Sequence, residues 1–181
     1  MYTGKLVQLR AYETKDIEAA KNYINDPELK HYLMPGVPFP MTLSDETKFV
    51  EGISAFKDNY SFAIDTLDGH YIGGCGLNNV DWKNRVAVVG IFIGDKDYWG
   101  KGYGTDAMTV LIKFIFNEMN LNRIMLNVYG FNERAIKSYE KCGFVREGIL
   151  RQSLFKGGQY HDEVVMSILR EEYGNKIGPL G

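Results

Sequence analysis

Residues 98–107 read YWGKGYGTDA, and this stretch decides the fold of the chain. Its three glycines alternate around a lysine and an aromatic residue. An apolar run at 86–93 comes before it, and a helical pattern from 105 to about 119 follows it. A strand, a glycine turn and a helix in this order form a binding place for a phosphate, because backbone N–H groups point outward and the helix dipole adds positive charge. Glycine suits the turn because it tolerates a positive φ and has no side chain to hold a ligand away.

Spacing distinguishes this turn from two nucleotide-binding motifs. The P-loop needs Gly-Lys followed by Ser or Thr, whereas Lys101 is followed by Gly102. The dinucleotide fingerprint is partly matched by 102–107, which ends in alanine. That fold also needs an acidic residue at the end of a second strand about 20 residues later, where Asn127 stands. A flexible turn without a ligand stays open as an alternative, and a nucleotide-dependent oxidoreductase is a distant one.

A second segment, 132–144, reads NERAIKSYEKCGF. Asn132 is of the type that caps a helix start, and Gly143 is of the type that ends a helix. The sequence therefore predicts a helix between these two residues and a strand that opens at Phe144. Three residues at i, i+4 and i+7 share one face of that helix, namely Ala135, Tyr139 and Cys142.

Together the two segments resemble the GNAT superfamily of N-acetyltransferases. Its acetyl-CoA motif, Gln/Arg-x-x-Gly-x-Gly/Ala, is matched at both glycines by Trp99-x-x-Gly102-x-Gly104, while Trp99 departs from the first position. Its second motif, Asn-x-x-Ala…Tyr…Gly-Phe, is matched within 132–144, about 30 residues further on. The resemblance covers nearly the whole chain.

The resemblance implies an α/β (α+β) fold. We expect a mixed central sheet of about seven strands flanked by about four helices. The sheet is expected to splay open between the strand ending at Ile93 and the strand ending at Val128. One acetyltransferase domain is predicted over 1–173, and 174–181 is predicted to be a disordered tail.

The resemblance also implies acetyl-CoA as cosubstrate and a set of residues that bind it. The strand 91–93 would hold the pantetheine arm and carbonyl, and the N–H groups of 100–105 would hold the pyrophosphate. Asn132 is either a CoA contact or a helix cap alone. Tyr139 is the residue that the family uses as general acid toward the sulfur, and a core tyrosine is the alternative. The residues implied for cofactor binding are Ile91, Phe92, Ile93, Trp99, Gly100, Lys101, Gly102, Tyr103, Gly104, Thr105, Asn127, Asn132 and Ala135.

The amine acceptor is less defined by the sequence. The opening Leu9-Arg10, the glycine turn and the ending 158–169 resemble the ribosomal-protein N-terminal acetyltransferase branch. That branch also contains polyamine and aminoglycoside acetyltransferases, so the resemblance does not define a substrate. The acceptor wall is expected from 28–41 and 156–162, and it is mostly apolar, without an evident acidic groove for a polyamine. The residues predicted to bind the acceptor are Tyr32, Met34, Phe39 and Tyr160.

The general base is missing from its usual position. Many relatives carry a glutamate just before the acetyl-CoA strand, where this chain has Val88. An α-amino group has a pKa of about 8 and is partly neutral at pH 7. An alkyl amine has a pKa of about 10.4, so it depends more on a base to remove its proton. We therefore hypothesise that an N-terminal α-amine or another weakly basic amine suits the site. The sequence offers Glu28, His31 and Asp162 as other candidates for the base.

Composition limits the remaining possibilities. A chain of 181 residues with 45% hydrophobic content predicts one domain with a real core. A net charge of −2 gives no general attraction to nucleic acid, and no apolar stretch approaches a membrane span. Two distant cysteines and three histidines without ligand spacing predict a reduced, cytoplasmic protein without a metal. A homodimer is expected only because it is common in the resembled branch, and an acyl-CoA-binding module without turnover stays an alternative.

Overall fold

The computed structural model describes residues 2–33, 37–53 and 60–177. Eight strands form one sheet within these residues: β1 (Tyr2–Thr3), β2 (Val7–Arg10), β3 (Ser61–Thr66), β4 (Tyr71–Asp81), β5 (Val86–Ile93), β6 (Arg123–Tyr129), β7 (Val145–Lys156) and β8 (Gln159–Leu169). The α-helices are α1 (Ile17–Asn25), α2 (Pro27–Leu33), α3 (Leu43–Gly52), α4 (Tyr103–Asn117), α5 (Glu133–Cys142) and α6 (Arg170–Ile177).

The sheet is mixed, as the sequence predicts. Its strand order is β1-β2-β3-β4-β5-β6-β8-β7. The ladders β1–β2, β2–β3 and β3–β4 are antiparallel, and so are β6–β8 and β7–β8. Strands β5 and β6 are parallel, with a ladder that joins 86–88 to 123–125. The last residues of β5, which are expected to bind the acyl group, follow this short ladder.

The described chain has more elements than the sequence predicts. The two-residue strand β1 pairs with β2 through Tyr2 and Leu9. Helix α2 precedes the part of the acceptor wall that lies outside the described residues, and helix α6 follows β8. Helix α6 includes residues 174–177, which the sequence assigns to the tail, while 178–181 lie outside the described residues. Its first residue, Arg170, donates from Nε to the carbonyl oxygen of Leu121 at 2.9 Å, which anchors the helix start.

Two compact units make up the chain. Unit 1 contains Met1–Leu77 and Gly90–Leu111, and unit 2 contains Asn78–Val89 and Ile112–Gly181. The apolar core of unit 1 includes Val7, Leu9, Ile64, Ile72, Met108 and Leu111. The apolar core of unit 2 includes Ile115, Phe116, Leu121, Ile124, Met166 and Ile168.

A buried ion cluster ties β2 to its neighbours in unit 1. The Arg10 guanidinium donates to both carboxylate oxygens of Asp65, at 2.6 and 2.7 Å, and to both of Asp16, at 2.7 and 2.9 Å. Burial by itself raises the pKa of Asp16, but the hydrogen bonds from Arg10 and from the Glu13 N–H outweigh it and hold the pKa below its ordinary value. The cluster therefore fixes the start of α1 against β2 and β3.

Candidate active site

The glycine turn of unit 1 has the backbone conformation that the sequence predicts. Gly100 has a φ of 72° and Gly102 a φ of 93°, both in the left-handed region that favours glycine. Helix α4 begins directly after, and the Gly102 carbonyl accepts from the Asp106 N–H at 2.9 Å. The first N–H groups of a helix have no acceptor within it. The turn therefore offers N–H groups and a helix dipole to an anion, with Lys101 exposed beside them.

Two side chains hold this turn in place, and the sequence indicates neither role. Trp99 donates from Nε1 to the carbonyl oxygen of Ile93 at 2.7 Å. Trp99 is the position at which the chain differs from the family motif, and this bond joins the turn to the end of β5. The Asp106 carboxylate accepts from the N–H groups of Leu6 and Val7, at 2.7 and 3.1 Å. Asp106 lies in the first turn of α4, where acidic residues are common. This position is the only local feature of the sequence that points to Asp106.

In unit 2 the structure confirms both predicted caps of helix α5. The Asn132 side chain accepts from the Ala135 N–H at 3.2 Å. Gly143 ends the helix with a φ of 106°, and the Phe144 N–H donates to the Tyr139 carbonyl at 3.0 Å. These bonds satisfy backbone groups that a helix end leaves open. They account for Asn132 as a cap, and its contact with CoA stays a prediction.

Tyr139 lies on α5 and is half-buried. Its ring centroid is 5.8 Å from that of Phe144, and Ile136 is the fully packed residue of the helix. Burial, with a smaller contribution from Cys142, raises the pKa of Tyr139 to about 12. The phenol therefore keeps its proton at neutral pH, as a general acid must.

The remaining predicted cofactor residues lie in both units. Ile91 and Phe92 belong to β5, while Tyr103, Gly104 and Thr105 form the start of α4. Asn127 is exposed on β6 in register with Val165, and Ala135 belongs to the first turn of α5. These assignments to CoA stay predictions.

The predicted acceptor residues are partly brought together with the cofactor turn. The Tyr32 ring on α2 meets the Trp99 ring edge to face, with centroids 6.3 Å apart. Phe39 is 72% exposed, and Tyr160 on β8 is exposed with its ring centroid 5.0 Å from that of Phe155. Met34 lies outside the described residues.

The three candidates for the general base are all exposed. Glu28 is 3.3 Å from the Lys96 ammonium, and Asp162 accepts from the Gln152 N–H at 2.8 Å. His31 packs edge to face against Tyr32, with centroids 5.1 Å apart. Val88 lies on β5 in register with Met125 and offers no proton acceptor. Within the described ranges, no group of His, Cys, Asp or Glu is arranged to hold a metal ion.

The chain matches known proteins over most of its length. Residues 7–145 match the family described as the acetyltransferase (GNAT) domain. The chain is 35% identical over 176 residues to the spermidine N(1)-acetyltransferase of Escherichia coli (strain K12). The match covers 96% of this chain and 91% of that protein. It is 38% identical over 106 residues to the putative ribosomal N-acetyltransferase YdaF of Bacillus subtilis (strain 168), or 59% of this chain and 57% of that one.

A solved structure gives the same result for the fold. The crystal structure of the spermidine N-acetyltransferase from Vibrio cholerae in complex with CoA and spermine has a TM-score of 0.82 and 28% identity. It covers 92% of this chain and 97% of that chain.

The fold, the glycine turn and the α5 motif thus define the class of protein: this chain belongs to the GNAT acetyltransferase family. Its reaction is N-acetyl transfer, and acetyl-CoA is the acetyl donor. No helix among the described residues combines the length and the apolar character that a membrane span requires.

Proposed function

We propose that the protein transfers the acetyl group of acetyl-CoA to a weakly basic primary amine, such as the N-terminal α-amine of a peptide, by direct transfer in a ternary complex. The observation that carries this proposal is the scarcity of carboxylates in 28–41 and 156–162, the segments expected to form the acceptor wall, where Glu28 and Asp162 are the only acidic residues. Between Glu28 and Asp45 the sequence has no acidic residue. A polyamine carries two or more positive charges and needs carboxylates to bind them.

The two carboxylates next to this segment, Asp26 and Glu28, already form ion pairs with a lysine of the protein. The Lys96 ammonium is 2.8 Å from Asp26 and 3.3 Å from Glu28. The hydrogen bonds that Lys96 donates to Asp26 and then to Glu28 raise the pKa of Lys96, which therefore stays charged at neutral pH. A polyamine would have to displace this lysine. An α-amine has a single charge and a pKa of about 8, so it needs fewer carboxylates for binding and depends less on a base to remove its proton.

The proposed reaction assigns a role to each motif. The N–H groups of the glycine turn and Lys101 bind the pyrophosphate. The neutral amine attacks the thioester carbonyl carbon, and the carbon–sulfur bond then breaks. Tyr139 gives its proton to the leaving thiolate and takes up the proton that the new amide nitrogen loses. The products are an N-acetylated amine and CoA with a free thiol.

Polyamine acetylation is the second candidate. It is favoured by the 35% identity to a protein named spermidine N(1)-acetyltransferase, which extends over 96% of this chain. The bond-making step is the same for both acceptors. The two proposals differ in how the body of the acceptor is bound.

A panel of amines with acetyl-CoA tests the proposal. We would measure thiol release and product mass with a tetrapeptide that begins with alanine, with spermidine and with an aminoglycoside. The expected result is a kcat/KM for the peptide at least about tenfold above that for spermidine, which equals about 1.4 kcal/mol of transition-state binding. Spermidine ahead by that margin would establish the second candidate. Tight CoA binding without turnover for any amine would mean a binding module.

A further inference from the structure

A buried hydroxyl group at the end of β6 has no role in the reaction described so far. Tyr129 is 7% exposed, and within the described part of the chain its hydroxyl oxygen has no hydrogen-bond partner. Nearly all buried polar groups of folded proteins are hydrogen-bonded, and an unpaired one lowers the stability of the fold. The Tyr129 hydroxyl therefore points to a ligand that supplies its partner.

A positive charge lies over the ring of this tyrosine. The ammonium nitrogen of Lys156, at the end of β7, is 5.2 Å from the Tyr129 ring centroid, which is within the range of a cation–π contact. Lys156 is partly buried, and burial lowers its pKa below the ordinary value. A charge that has lost part of its water interacts more strongly with an anion than an exposed charge does. We call Tyr129 and Lys156 the hairpin site, because Lys156 borders the turn between β7 and β8.

The register of the sheet places the two side chains of the hairpin site on one face. Tyr129 pairs with Glu163 on β8, and directly paired residues share a face. His161 lies two residues before Glu163 and therefore shares this face as well. His161 pairs with Leu154, so Lys156, two residues further along β7, lies on the same face.

Two further rings hold the hairpin site in place. His161 donates from Nε2 to the Lys156 carbonyl oxygen at 3.2 Å, which fixes the backbone that carries the ammonium group. The Phe131 ring lies 4.9 Å from the His161 ring and 5.4 Å from the Tyr129 ring. The Asn132 N–H donates to the Tyr129 carbonyl oxygen at 2.8 Å, so the site adjoins the start of α5. All of these residues lie in unit 2.

The two carboxylates of β8 nearest to the site have other hydrogen-bond partners. Glu163 accepts from the Ser153 hydroxyl at 2.8 Å. Asp162 lies on the opposite face of the strand and accepts from the Gln152 N–H at 2.8 Å. Burial, with a smaller contribution from the charge of Glu163, raises the pKa of Tyr129 to about 12, so the phenol keeps its proton. A phenolic hydroxyl and an ammonium group are both donors, and together they match a negatively charged acceptor.

We infer that Tyr129 and Lys156 bind a carboxylate of the acceptor molecule. The inference rests on the proposed function and names its substrate class, a primary amine that carries a carboxylate close to the reacting nitrogen. That carboxylate is either the α-carboxylate of a free amino acid or an acidic side chain near the N-terminus of a peptide. Lys156 belongs to the segment 156–162, which the sequence predicts as part of the acceptor wall. Its charge also repels the ammonium groups of a polyamine.

Pairs of acceptors that differ in this one charge test the inference. The amidated peptide Ala-Glu-Ala-Ala is compared with amidated Ala-Gln-Ala-Ala, and free alanine is compared with alaninamide. In at least one pair the carboxylate member should have a kcat/KM at least about tenfold higher, the lower end of what a hydrogen bond to a charged group contributes. The pair that shows the preference identifies the source of the carboxylate, and no preference in either pair overturns the inference.

Variants of the hairpin site locate the preference, which is the ratio of the two kcat/KM values in a pair. Lys156→Met and Tyr129→Phe should each bring this ratio to within about threefold of one. The matched control Lys113→Met, at an exposed position of α4, should keep the wild-type ratio. Glu163→Gln should keep or increase it, because a like charge is removed. A ratio that falls in Glu163→Gln and rises in Lys156→Met would assign the site to a cation and overturn the inference.

Stability separates a ligand-binding hydroxyl from a structural one. Tyr129→Phe removes a buried hydroxyl without a partner among the described residues, and it keeps the ring under Lys156. This variant should therefore unfold at the same temperature as the wild type or higher. A marked fall in the unfolding temperature would mean that the hydroxyl has a partner within the free protein, and it would overturn the inference.

A binding measurement keeps the inference apart from the proposed function. Isothermal titration of the CoA-bound protein with each acceptor gives a Kd without turnover. Tighter binding of a carboxylate member that is lost in Lys156→Met, without turnover of any amine by the wild type, would retain the hairpin site and reject the proposed function. Turnover with equal Kd values within both pairs would retain the proposed function and overturn the inference.

Discussion

At the scale of single residues, two glycines of the same turn make a matched pair. Gly102 has a left-handed φ of 93°, whereas Gly104 lies within α4 and a Cβ there would have its nearest neighbour, an Ile93 side-chain carbon, at 3.5 Å. An alanine in the left-handed conformation costs about 1–2 kcal/mol. Gly102→Ala should therefore weaken acetyl-CoA binding about tenfold, since about 1.4 kcal/mol is a factor of ten. Gly104→Ala should stay within about threefold.

Isothermal titration with CoA measures both variants. Equal losses for the two variants would show that the positive φ is not what the coenzyme requires. An unfolding temperature for each variant shows whether the change is confined to the turn.

Tyr139 provides the second prediction at this scale. Burial raises the pKa of Tyr139 to about 12, so the phenol is protonated at neutral pH. Tyr139→Phe should lower kcat about 10²- to 10⁴-fold, as expected for loss of a general acid, and leave the KM for acetyl-CoA unchanged. The control is Tyr173→Phe on α6, another buried tyrosine, which should leave kcat unchanged. Stopped-flow or steady-state thiol release measures the rate, and full activity of Tyr139→Phe would remove the residue from the mechanism.

What the sequence reveals at this scale depends on how local an interaction is. Asn132 and Gly143 are predictable because a helix cap acts within four residues of itself. Asp106 binds an N–H group about a hundred residues away. No local pattern distinguishes this residue from a surface acid.

At the scale of elements, a polar contact joins the last three strands of the sheet in unit 2. Arg123 on β6 donates to both carboxylate oxygens of Glu147 on β7, one of them at 2.7 Å, and the Ser167 hydroxyl on β8 donates at 2.7 Å. The bonds from Arg123 and then Ser167 lower the pKa of Glu147 to about 2 from its ordinary 4.5. The stabilisation is therefore present above about pH 4.5 and is lost as the pH falls toward 2.

Glu147→Gln should thus lower the free energy of unfolding at pH 7 by about 1 kcal/mol, a value discounted because the carboxylate is partly exposed. The difference from the wild type should shrink as the pH falls from 4.5 toward 3. Urea unfolding at several pH values measures it. Glu140→Gln, which removes the more exposed pair with Arg146, is the control and should leave the midpoint unchanged. A difference independent of pH would contradict the assignment.

The elements themselves were predicted to different degrees. The bounds of β5 are confirmed at both ends, because its apolar run is bordered by Arg85 before it and by Gly94 and Asp95 after it. Strand β7 begins at Val145, next to the predicted opening at Phe144, and ends at Lys156. Most of its side chains are exposed and alternate little between apolar and polar residues, so the pattern does not indicate where the strand ends. The turn at Gly157 and Gly158, both with positive φ, is the part of this hairpin that the sequence indicates.

At the scale of the whole molecule, the two motifs predict the donor and leave the acceptor to be found. The glycine turn and α5 are each recognisable from short stretches, because the residues of each motif follow one another closely in the chain. The acceptor side is expected from separate segments without such a motif, and between Glu28 and Asp45 the sequence has no carboxylate. The relatives share the donor and carry names for different acceptors.

Ligand-induced stabilisation is the prediction that belongs to the whole molecule. A coenzyme that binds only the folded protein stabilises it by about 2.7 kcal/mol at a concentration 100-fold above its Kd. For a chain of 181 residues, each kcal/mol corresponds to about 2–4 °C, so acetyl-CoA should raise the unfolding temperature by about 5–10 °C. NAD tests the alternative of a dinucleotide-binding turn. It should produce no shift of the unfolding temperature, because the turn lacks the complete dinucleotide fingerprint. Differential scanning fluorimetry measures both, and Gly102→Ala at the same acetyl-CoA concentration should lose about half of the shift. A shift with NAD, or none with acetyl-CoA, would mean that the turn binds a different phosphate.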